Sequence, residues 1–452
     1  VSTYHFIGIG GAGMSGIARI MLSRGYTVTG SDAKESAVVD ALRAQGAHVF
    51  IVHDGSHVEG ADTVVVSSAI RPTNPEIVRA QELNIPVIHR SDALAMLMEG
   101  KRTIAIAGTH GKTTTTSMTT VALQAAGEDP SFAIGGQLSK TGTNAHAGSG
   151  DVFIAEADES DGSFLKYRPE VGVITNAEAD HLDHYGSWER VREAFVDFSS
   201  HVGKMSGTLI VCADDEGAAS IGREARERGT SVIFYGENDD ADACVKATTH
   251  GQGVSVSITY EGQIYGFDIA LPGTYNALNA TAAFLSARTV GANPAGIIQG
   301  LESFTGTRRR FELRGTEKGV RVYDDYAHHP TEVTALLTAA NRVVDPSNKV
   351  HVVFQPHLFS RTKNFYREFA QALSLADDVI VLDVFPARED PIPGVTGELI
   401  AREVTSDVTY VPSFSDAVPT VVERVKPGDI VLTVGAGDVT ILGPELLGAL
   451  AR

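Results

Sequence analysis

Cysteine is scarce in this chain: Cys212 and Cys244 are the only two in 452 residues. Their separation excludes a C-x-x-C metal or redox motif, and two thiols cannot staple a disulfide-rich secreted domain, so a reducing, cytoplasmic setting is expected. Positive charge is also short. Against 56 Asp and Glu stand 37 Lys and Arg, a formal net charge of -19, which opposes nonspecific binding to nucleic acid or anionic lipid because both require a basic face. Neither is expected as a partner, and any anionic ligand must meet local clusters of positive charge. Long apolar runs are missing too: none approaches the roughly 18–20 residues that span a bilayer. A strand is expected almost at once, at Tyr4 to Ile9, so the chain reads as soluble and without a targeting segment, although a short leader ahead of Val1 is compatible with the numbering. No repeat of 20–50 residues and no low-complexity segment interrupts it.

What is present is enough apolar surface for ordinary cores, at 43% hydrophobic residues, in a length that suggests about three domains. Short β-branched runs alternate with helix-like segments from Tyr4 to Met98 (Val28-Thr29, Thr63 to Ser67 and Pro86 to Ile88 against Ile17 to Ser23 and Asn74 to Glu82), the signature of a parallel sheet. After the polar break Gly100-Lys-Arg a second series starts at Thr103 to Ala107 and continues through Val152 to Ala157, Val171 to Thr175 and Leu209 to Cys212. Within it, Val254 to Tyr260 and Ile264 to Ala270 flank Glu261-Gly262-Gln263 as an antiparallel hairpin. Beyond Arg308 to Arg310 the rhythm resumes near Val320 to Tyr323, Val350 to Phe354, Val379 to Leu382 and Ile430 to Val434. The expected fold class is therefore α/β in three domains, 1–100, 101–306 and 307–452. Nothing in the sequence separates a monomer from a homodimer.

The run Ile104-Ala-Ile-Ala-Gly-Thr-His-Gly-Lys-Thr-Thr-Thr115 empties an apolar strand into a Gly/Lys/Thr turn that opens a helix. Such a turn can cradle a nucleoside triphosphate: the backbone N–H groups of Gly108, Thr109, His110 and Gly111 face phosphate oxygens, Lys112 offsets their charge, Thr113 holds Mg2+, and Thr114 lies in the helix's positive first turn. The usual G-x-x-x-x-G-K-S/T pattern would place glycine where Ile106 stands, so the loop is shorter than standard. A second glycine turn, Gly8-Ile-Gly10-Gly-Ala-Gly13, lies between the first strand and first helix, with Asp32 about 20 residues further at the end of the second strand. That is a dinucleotide fingerprint, and it suits any nucleoside diphosphate as well as a nicotinamide cofactor.

Carboxylates and imidazoles gather at two strand exits. Glu156-Ala-Asp158-Glu-Ser-Asp161 follows one strand and Asn176-Ala-Glu-Ala-Asp180-His181-Leu-Asp183 another. Glu156 stands where a phosphoryl-transfer site meets Mg2+. The bland alternatives are a helix-capping acidic loop and a polar surface turn.

Taken in order, Gly-Thr-His-Gly-Lys-Thr-Thr, Glu-Ala-Asp-Glu-Ser-Asp, Thr-Asn-x-Glu-x-Asp-His, Tyr275-Asn276-Ala-Leu-Asn279-Ala-Thr and Asp324-Asp-Tyr-Ala-His-His-Pro330 resemble the Mur ligase family over essentially the whole chain. The resemblance implies a Rossmann-like N-terminal domain, a central P-loop NTPase-like domain with some antiparallel strands, and a C-terminal Rossmann-like domain that brings the amino acid. It also accounts for the short phosphate loop. The activity it implies is ATP-dependent ligation of L-alanine to the lactyl carboxylate of UDP-N-acetylmuramate in cytoplasmic cell-wall precursor synthesis. Gly10, Gly11, Ala12, Gly13, Met14, Ser15 and Asp32 would then serve the UDP end. Lys112 would meet the ATP phosphates, Thr113 and Glu156 one Mg2+, His181 a second, Asn276 and Asn279 the adenine side, and Arg310 and Asp325 the ATP from the third domain. Tyr275 departs from the histidine expected in many relatives.

A carboxylate is a poor acyl donor until ATP converts it to an acyl phosphate, and the amine must be neutral to attack. His328 and His329, with imidazole pKa values ordinarily near 6.5, are candidate proton acceptors, and they serve equally well as a cap for the helix after Pro330. Arg361, four residues after His357, could pair bidentately with the alanine carboxylate, or form a surface salt bridge. Three other readings stand beside this one: a related recycling ligase that joins a tripeptide, an NAD-dependent oxidoreductase using the first glycine turn, and a nucleotide-gated binding protein without chemistry.

Overall fold

The computed structural model describes residues 1–135 and 144–452. They form two compact units, Val1–Ala177 with Arg192–Tyr235 and Ala282–Leu301, and Glu178–Val191 with Gly236–Thr281 and Glu302–Arg452. The architecture is α/β throughout, as expected.

In the first unit, β1 (Thr3–Ile7), β2 (Thr27–Asp32), β3 (His48–Ile51), β4 (Thr63–Val66) and β5 (Val87–His89) form a parallel sheet in the order β3-β2-β1-β4-β5. Helix starts are fixed by local chemistry. Ser36 accepts from the Val39 N–H at the start of Ala37–Ala44, and Asn74 accepts from Glu76 N–H with Pro75 in the first turn of Pro75–Glu82. That helix turns Glu76 inward, fully buried, where His5 Nε2 at 2.7 Å, His53 Nδ1 at 2.8 Å and the Ser31 hydroxyl share its carboxylate. Burial raises the Glu76 pKa, but these partners outweigh it and the net shift is downward.

The same unit holds β6 (Arg102–Ala107), β7 (Ser131–Ala133), β8 (Ala145–His146), β9 (Val152–Glu156), β10 (Val171–Ile174), β11 (Thr208–Cys212) and β12 (Ser231–Gly236), ordered β12-β11-β10-β6-β9-β7-β8. Neighbours run parallel from β12 to β7, and β8 is antiparallel to β7. Residues in β9 and β10 are almost all buried, which explains why these strands read as unbroken apolar runs: both sheet faces are covered. With β6 between β10 and β9, three consecutive strand exits, at Gly108, Ala157 and Thr175, lie side by side.

The Lys112–Ala125 helix begins with threonine at four successive positions after Lys112, a poor composition for a helix. It is buried almost throughout, and its hydroxyls are satisfied by bonding back one turn: Thr116 to Lys112 O, Ser117 to Thr113 O, Thr119 to Thr115 O and Thr120 to Thr116 O, at 2.7–2.9 Å. Behind it lies the Pro294–Ser303 helix, whose Gly296 and Gly300 admit the first helix at backbone distance. A Cβ on Gly300 would stand 2.7 Å from both Ala122 Cα and Val121 O, and one on Gly296 would stand 2.7 Å from Ala126 Cα.

The second unit contains the antiparallel strands β13 (Ala243–His250), β14 (Gly253–Tyr260) and β15 (Gln263–Ile269). The β14–β15 hairpin is the expected one, turned by Glu261 and Gly262, both at positive φ, as a two-residue primed turn requires. Its third strand, β13, was not foreseen. The C-terminal sheet comprises β16 (Glu312–Glu317), β17 (Val320–Asp325), β18 (Val350–Phe354), β19 (Asp378–Val381), β20 (Asp407–Tyr410) and β21 (Ile430–Val434), ordered β16-β17-β21-β18-β19-β20. Only β16 is antiparallel. One face packs on Leu336, Leu337 and Phe369, the other on Val421, Leu442 and Leu446.

Because its near neighbours are backbone atoms that cannot rotate away, Gly300→Ala is expected to lower stability by about 1–3 kcal/mol, read as a fall in thermal midpoint against a control substitution at the open Gly448.

Candidate active site

The turn after β6 is shaped by the end of β10. Gly108 has φ +139°, and a Cβ there would overlap the Thr175 hydroxyl at 1.9 Å, so only glycine fits. Thr175 donates to His110 O at 2.5 Å, while Asn176 accepts from His110 N–H at 2.7 Å through Oδ1 and from Thr109 N–H at 3.1 Å through its carbonyl. This corrects one expectation. The N–H groups of Thr109 and His110 are bonded to Asn176 and so are not presented to an anion, whereas at the helix start from Gly111 through Thr114 the first N–H groups have no intrahelical acceptor. Gly111 caps that helix in the left-handed conformation, φ +82°, without a side-chain cap.

Lys112 Nζ donates to Gly108 O at 2.7 Å and lies 2.8–2.9 Å from both oxygens of Glu159, which is 1% exposed. Burial works against the ammonium charge, yet Glu159 and Asp158 outweigh it and hold the pKa above the ordinary lysine value. Glu159 lies in the motif quoted from the sequence but drew no role there; its signal was an acidic residue three positions after Glu156. Thr113 donates to Glu156 Oε1 at 2.9 Å, and Gly135 N–H donates to Oε2 at 2.7 Å. A hydroxyl and a carboxylate at this distance are hard-oxygen donors of the type Mg2+ takes.

At the first glycine turn, the Ala12–Ser23 helix starts after Gly11 with no side-chain cap. Met14 and Ser15 are buried and their N–H groups bond Gly11 O, leaving those of Ala12 and Gly13 without a partner among the described residues. Asp32 accepts from Gly10 N–H at 2.8 Å and so fixes the turn itself. Arg90 lies against Gly13, its Nη1 3.3 Å from where a Cβ would be, and pairs with Asp158 at 2.8 Å.

In the second unit, Asn276 Nδ2 donates to Pro272 O at 2.8 Å and Asn279 Nδ2 to Asn276 Oδ1 at 3.2 Å, so both help to start the Tyr275–Thr289 helix. Asp325 is buried with both oxygens engaged by backbone, Phe311 N–H and Ala327 N–H at 2.7 Å each. Burial pushes its pKa up to about 6 against the opposing pull of Arg310. Its carboxylate therefore shapes the Arg310 turn. Arg309 is committed to Asp324 and Gly435 O, whereas Arg310 pairs with Glu332 at 3.3 Å.

His329 caps the Pro330–Val343 helix, accepting from Thr331 N–H, and its Nε2 lies 3.2 Å from Ala179 O. His328 Nδ1 bonds Tyr326 O at 3.1 Å. The expectation of an imidazole near its ordinary pKa is corrected: burial drives His328 down to about 3, with Glu332 opposing and Arg361 assisting, and drives His357 to about 2. Arg361, 4% exposed, bonds Asp180 through Nε at 3.1 Å and His357 Nδ1 through Nη1 at 3.1 Å, which is a buried ion pair and no surface bridge. His181 occupies a left-handed backbone position, φ +51°, with Nε2 3.5 Å from Asp180 Oδ2. The structure thus joins Thr113 to Glu156 and Lys112 to Glu159 in one unit, and His181, Asp180, Arg361 and His357 in the other.

A lysine-bearing turn at the carboxyl edge of a parallel sheet, with a hydroxyl–carboxylate pair beside it, defines a nucleotide-dependent phosphoryl-transfer enzyme. Three family models match the chain in succession: the catalytic domain of the Mur ligase family over residues 3–102, the Mur ligase middle domain over 106–287, and the Mur ligase glutamate ligase domain over 309–437. The chain belongs to the Mur ligase family and is an ATP-dependent ligase that forms amide bonds. It is similar to the UDP-N-acetylmuramate–L-alanine ligase of Saccharopolyspora erythraea, 54% identical over 99% of this chain and 93% of that one. The enzyme of the same name from Renibacterium salmoninarum is also 54% identical, over 99% and 96%. Among solved structures, the UDP-N-acetylmuramate-alanine ligase of Thermotoga maritima aligns at 29% identity with a TM-score of 0.81, covering 99% of both chains. A murein peptide ligase of Psychrobacter arcticus shares the fold at 24% identity and a TM-score of 0.74, covering 100% and 99%. Among the described residues no helix is long and apolar enough to cross a membrane.

Two outcomes test this geometry. Gly108→Ala is expected to weaken ATP binding at least about tenfold by displacing the turn from Thr175, measured by calorimetric titration. His328 stays neutral in the fold but is protonated in the unfolded chain below pH 6.5, so its contribution to stability falls as pH drops from about 6.5 to about 3, by on the order of 4 kcal/mol. Denaturant titration of His328→Asn across that window should show a shallower loss than the parent.

Proposed function

We propose that this chain joins L-alanine to the lactyl carboxylate of UDP-N-acetylmuramate, giving ADP, phosphate and UDP-N-acetylmuramoyl-L-alanine in cytoplasmic peptidoglycan precursor synthesis. The choice of this substrate pair is carried by the near-full-length identity to relatives named for it. On this reading residues 1–100 take the UDP-sugar, 101–306 the ATP and 307–452 the amino acid.

The lactyl carboxylate attacks the γ-phosphorus, ADP leaves, and the resulting acyl phosphate has a leaving group the amine can displace. The alanine nitrogen then forms the amide bond as inorganic phosphate departs with the electron pair of the broken C–O bond. Two anions meet in the first step, and Lys112 offsets their repulsion. Thr113 and Glu156 would hold one Mg2+ and His181 would serve a second; bound there, the metal supplies further charge compensation. Asn276, Asn279 and Arg310 serve the nucleotide, with Asp325 holding the Arg310 turn. Gly10 to Ser15, with Asp32 behind them, present the start of the first helix to the UDP diphosphate. With its pKa driven down to about 3, His328 is too weak a base for the amine proton, and His329 serves as a helix cap, so the proton leaves with the departing phosphate, itself the stronger base.

Phosphate release with ATP, Mg2+ and UDP-N-acetylmuramate, compared among L-alanine, no amino acid and the cell-wall tripeptide, tests the assignment. Release should require L-alanine, and Lys112→Ala should lose at least about 100-fold in kcat. Equal release without an amino acid counts against ligation, and preference for the tripeptide selects the recycling reaction instead.

A further inference from the structure

Asp180 has no role in the reaction as described above, yet it is 2% exposed and sits among Arg361, His181, His328 and His329. It belongs to the segment Glu178–Val191, which forms one compact unit with residues 302–452. That segment is fastened at several points. Thr331 donates to Glu178 at 2.9 Å, His329 Nε2 meets Ala179 O at 3.2 Å, and Arg388 bonds Asp183 at 2.8 Å. Asp180 makes the one fully buried ionic contact in the set, its Oδ1 3.1 Å from Arg361 Nε.

The guanidinium is a rigid fork, so fixing one nitrogen fixes the plane of the other two. With Nε held by Asp180 and Nη1 by His357 Nδ1, the plane of Arg361 is determined, and Nη2 makes no hydrogen bond among the described residues. A carboxylate can still accept from that nitrogen in a charge-assisted bond, through one nitrogen in place of the bidentate pair expected from the sequence. We propose that Asp180 is a positioning residue of the amino-acid subsite, orienting Arg361 so that its Nη2 edge receives the α-carboxylate of the incoming amino acid. The inference rests on the reading that Arg361 meets that carboxylate. Because Asp180 Oδ2 is 3.5 Å from His181 Nε2, the arginine is set by the same short segment that carries His181. Removing Asp180 would also leave a buried guanidinium without its counter-ion.

Steady-state kinetics of Asp180→Ala, Arg361→Ala and the double variant separate the possibilities. Asp180→Ala should raise KM for L-alanine about tenfold or more, leave KM for ATP and UDP-N-acetylmuramate within about twofold, and add nothing in the Arg361→Ala background. A normal KM for L-alanine in Asp180→Ala, with a raised one in Arg361→Ala, overturns the positioning role and leaves the arginine's own role standing. A normal KM in Arg361→Ala removes the reading on which the proposal depends. Should Asp180→Ala melt below the assay temperature, Asp180→Asn keeps the shape without the charge. It should still raise KM for L-alanine several-fold with the other two constants unmoved, and an unmoved alanine constant there overturns the proposal.

Discussion

The fold of the phosphate turn depends on one close approach, between Gly108 at the end of β6 and Thr175 at the end of β10. No side chain fits between them, and in its place Thr175 and Asn176 bond the backbone of Thr109 and His110. A strand-to-helix turn is ordinarily a mobile place. Here a neighbouring strand fixes it, so the first turn of the following helix is presented in one geometry, and the shortened loop needs no additional glycine to curl. The threonine-rich helix behind it is intrinsically weak, and burial against two glycines of a second helix supplies the stability its composition withholds.

In a chain carrying a net charge of -19, the cations near the candidate site are each held by an acid of their own. Lys112 lies on Glu159, Arg361 on Asp180, Arg310 on Glu332 and Arg90 on Asp158. The arrangement follows from desolvation. A buried ammonium or guanidinium is costly without a counter-ion, so a partner carboxylate keeps it charged and also fixes where it points. Negative charge in these positions thus holds each cation from behind and leaves its direction fixed.

Much of this was legible along the chain because it is written in local patterns. Apolar runs of five residues gave the buried parallel strands, Glu261-Gly262 gave a hairpin turn, and Gly-Lys-Thr after a strand gave the phosphate turn. Other features were not legible because their partners lie far away in sequence. β13 was missed although Gly251-Gln252 turns it into β14, because its Lys246, Thr248 and Thr249 leave it without an apolar run. Glu76 reads as a polar residue in a helix start, and it becomes the centre of a buried histidine and serine network only when β1, β2 and the Pro75–Glu82 helix meet. His328 reads as an ordinary imidazole until burial strips its solvent and drives its pKa down to about 3.

By itself, then, the sequence determined the class of sheet, the two glycine turns and the residue types available for phosphoryl transfer, because strand periodicity, turn chemistry and motif spacing act over a few residues. Tertiary structure alone decided which acid faces which cation, which backbone N–H groups are left for a ligand, and which imidazoles lose their solvent. Those outcomes depend on burial and on hydrogen bonds between residues tens to hundreds of positions apart, as with Arg361 and Asp180, and no local pattern encodes them.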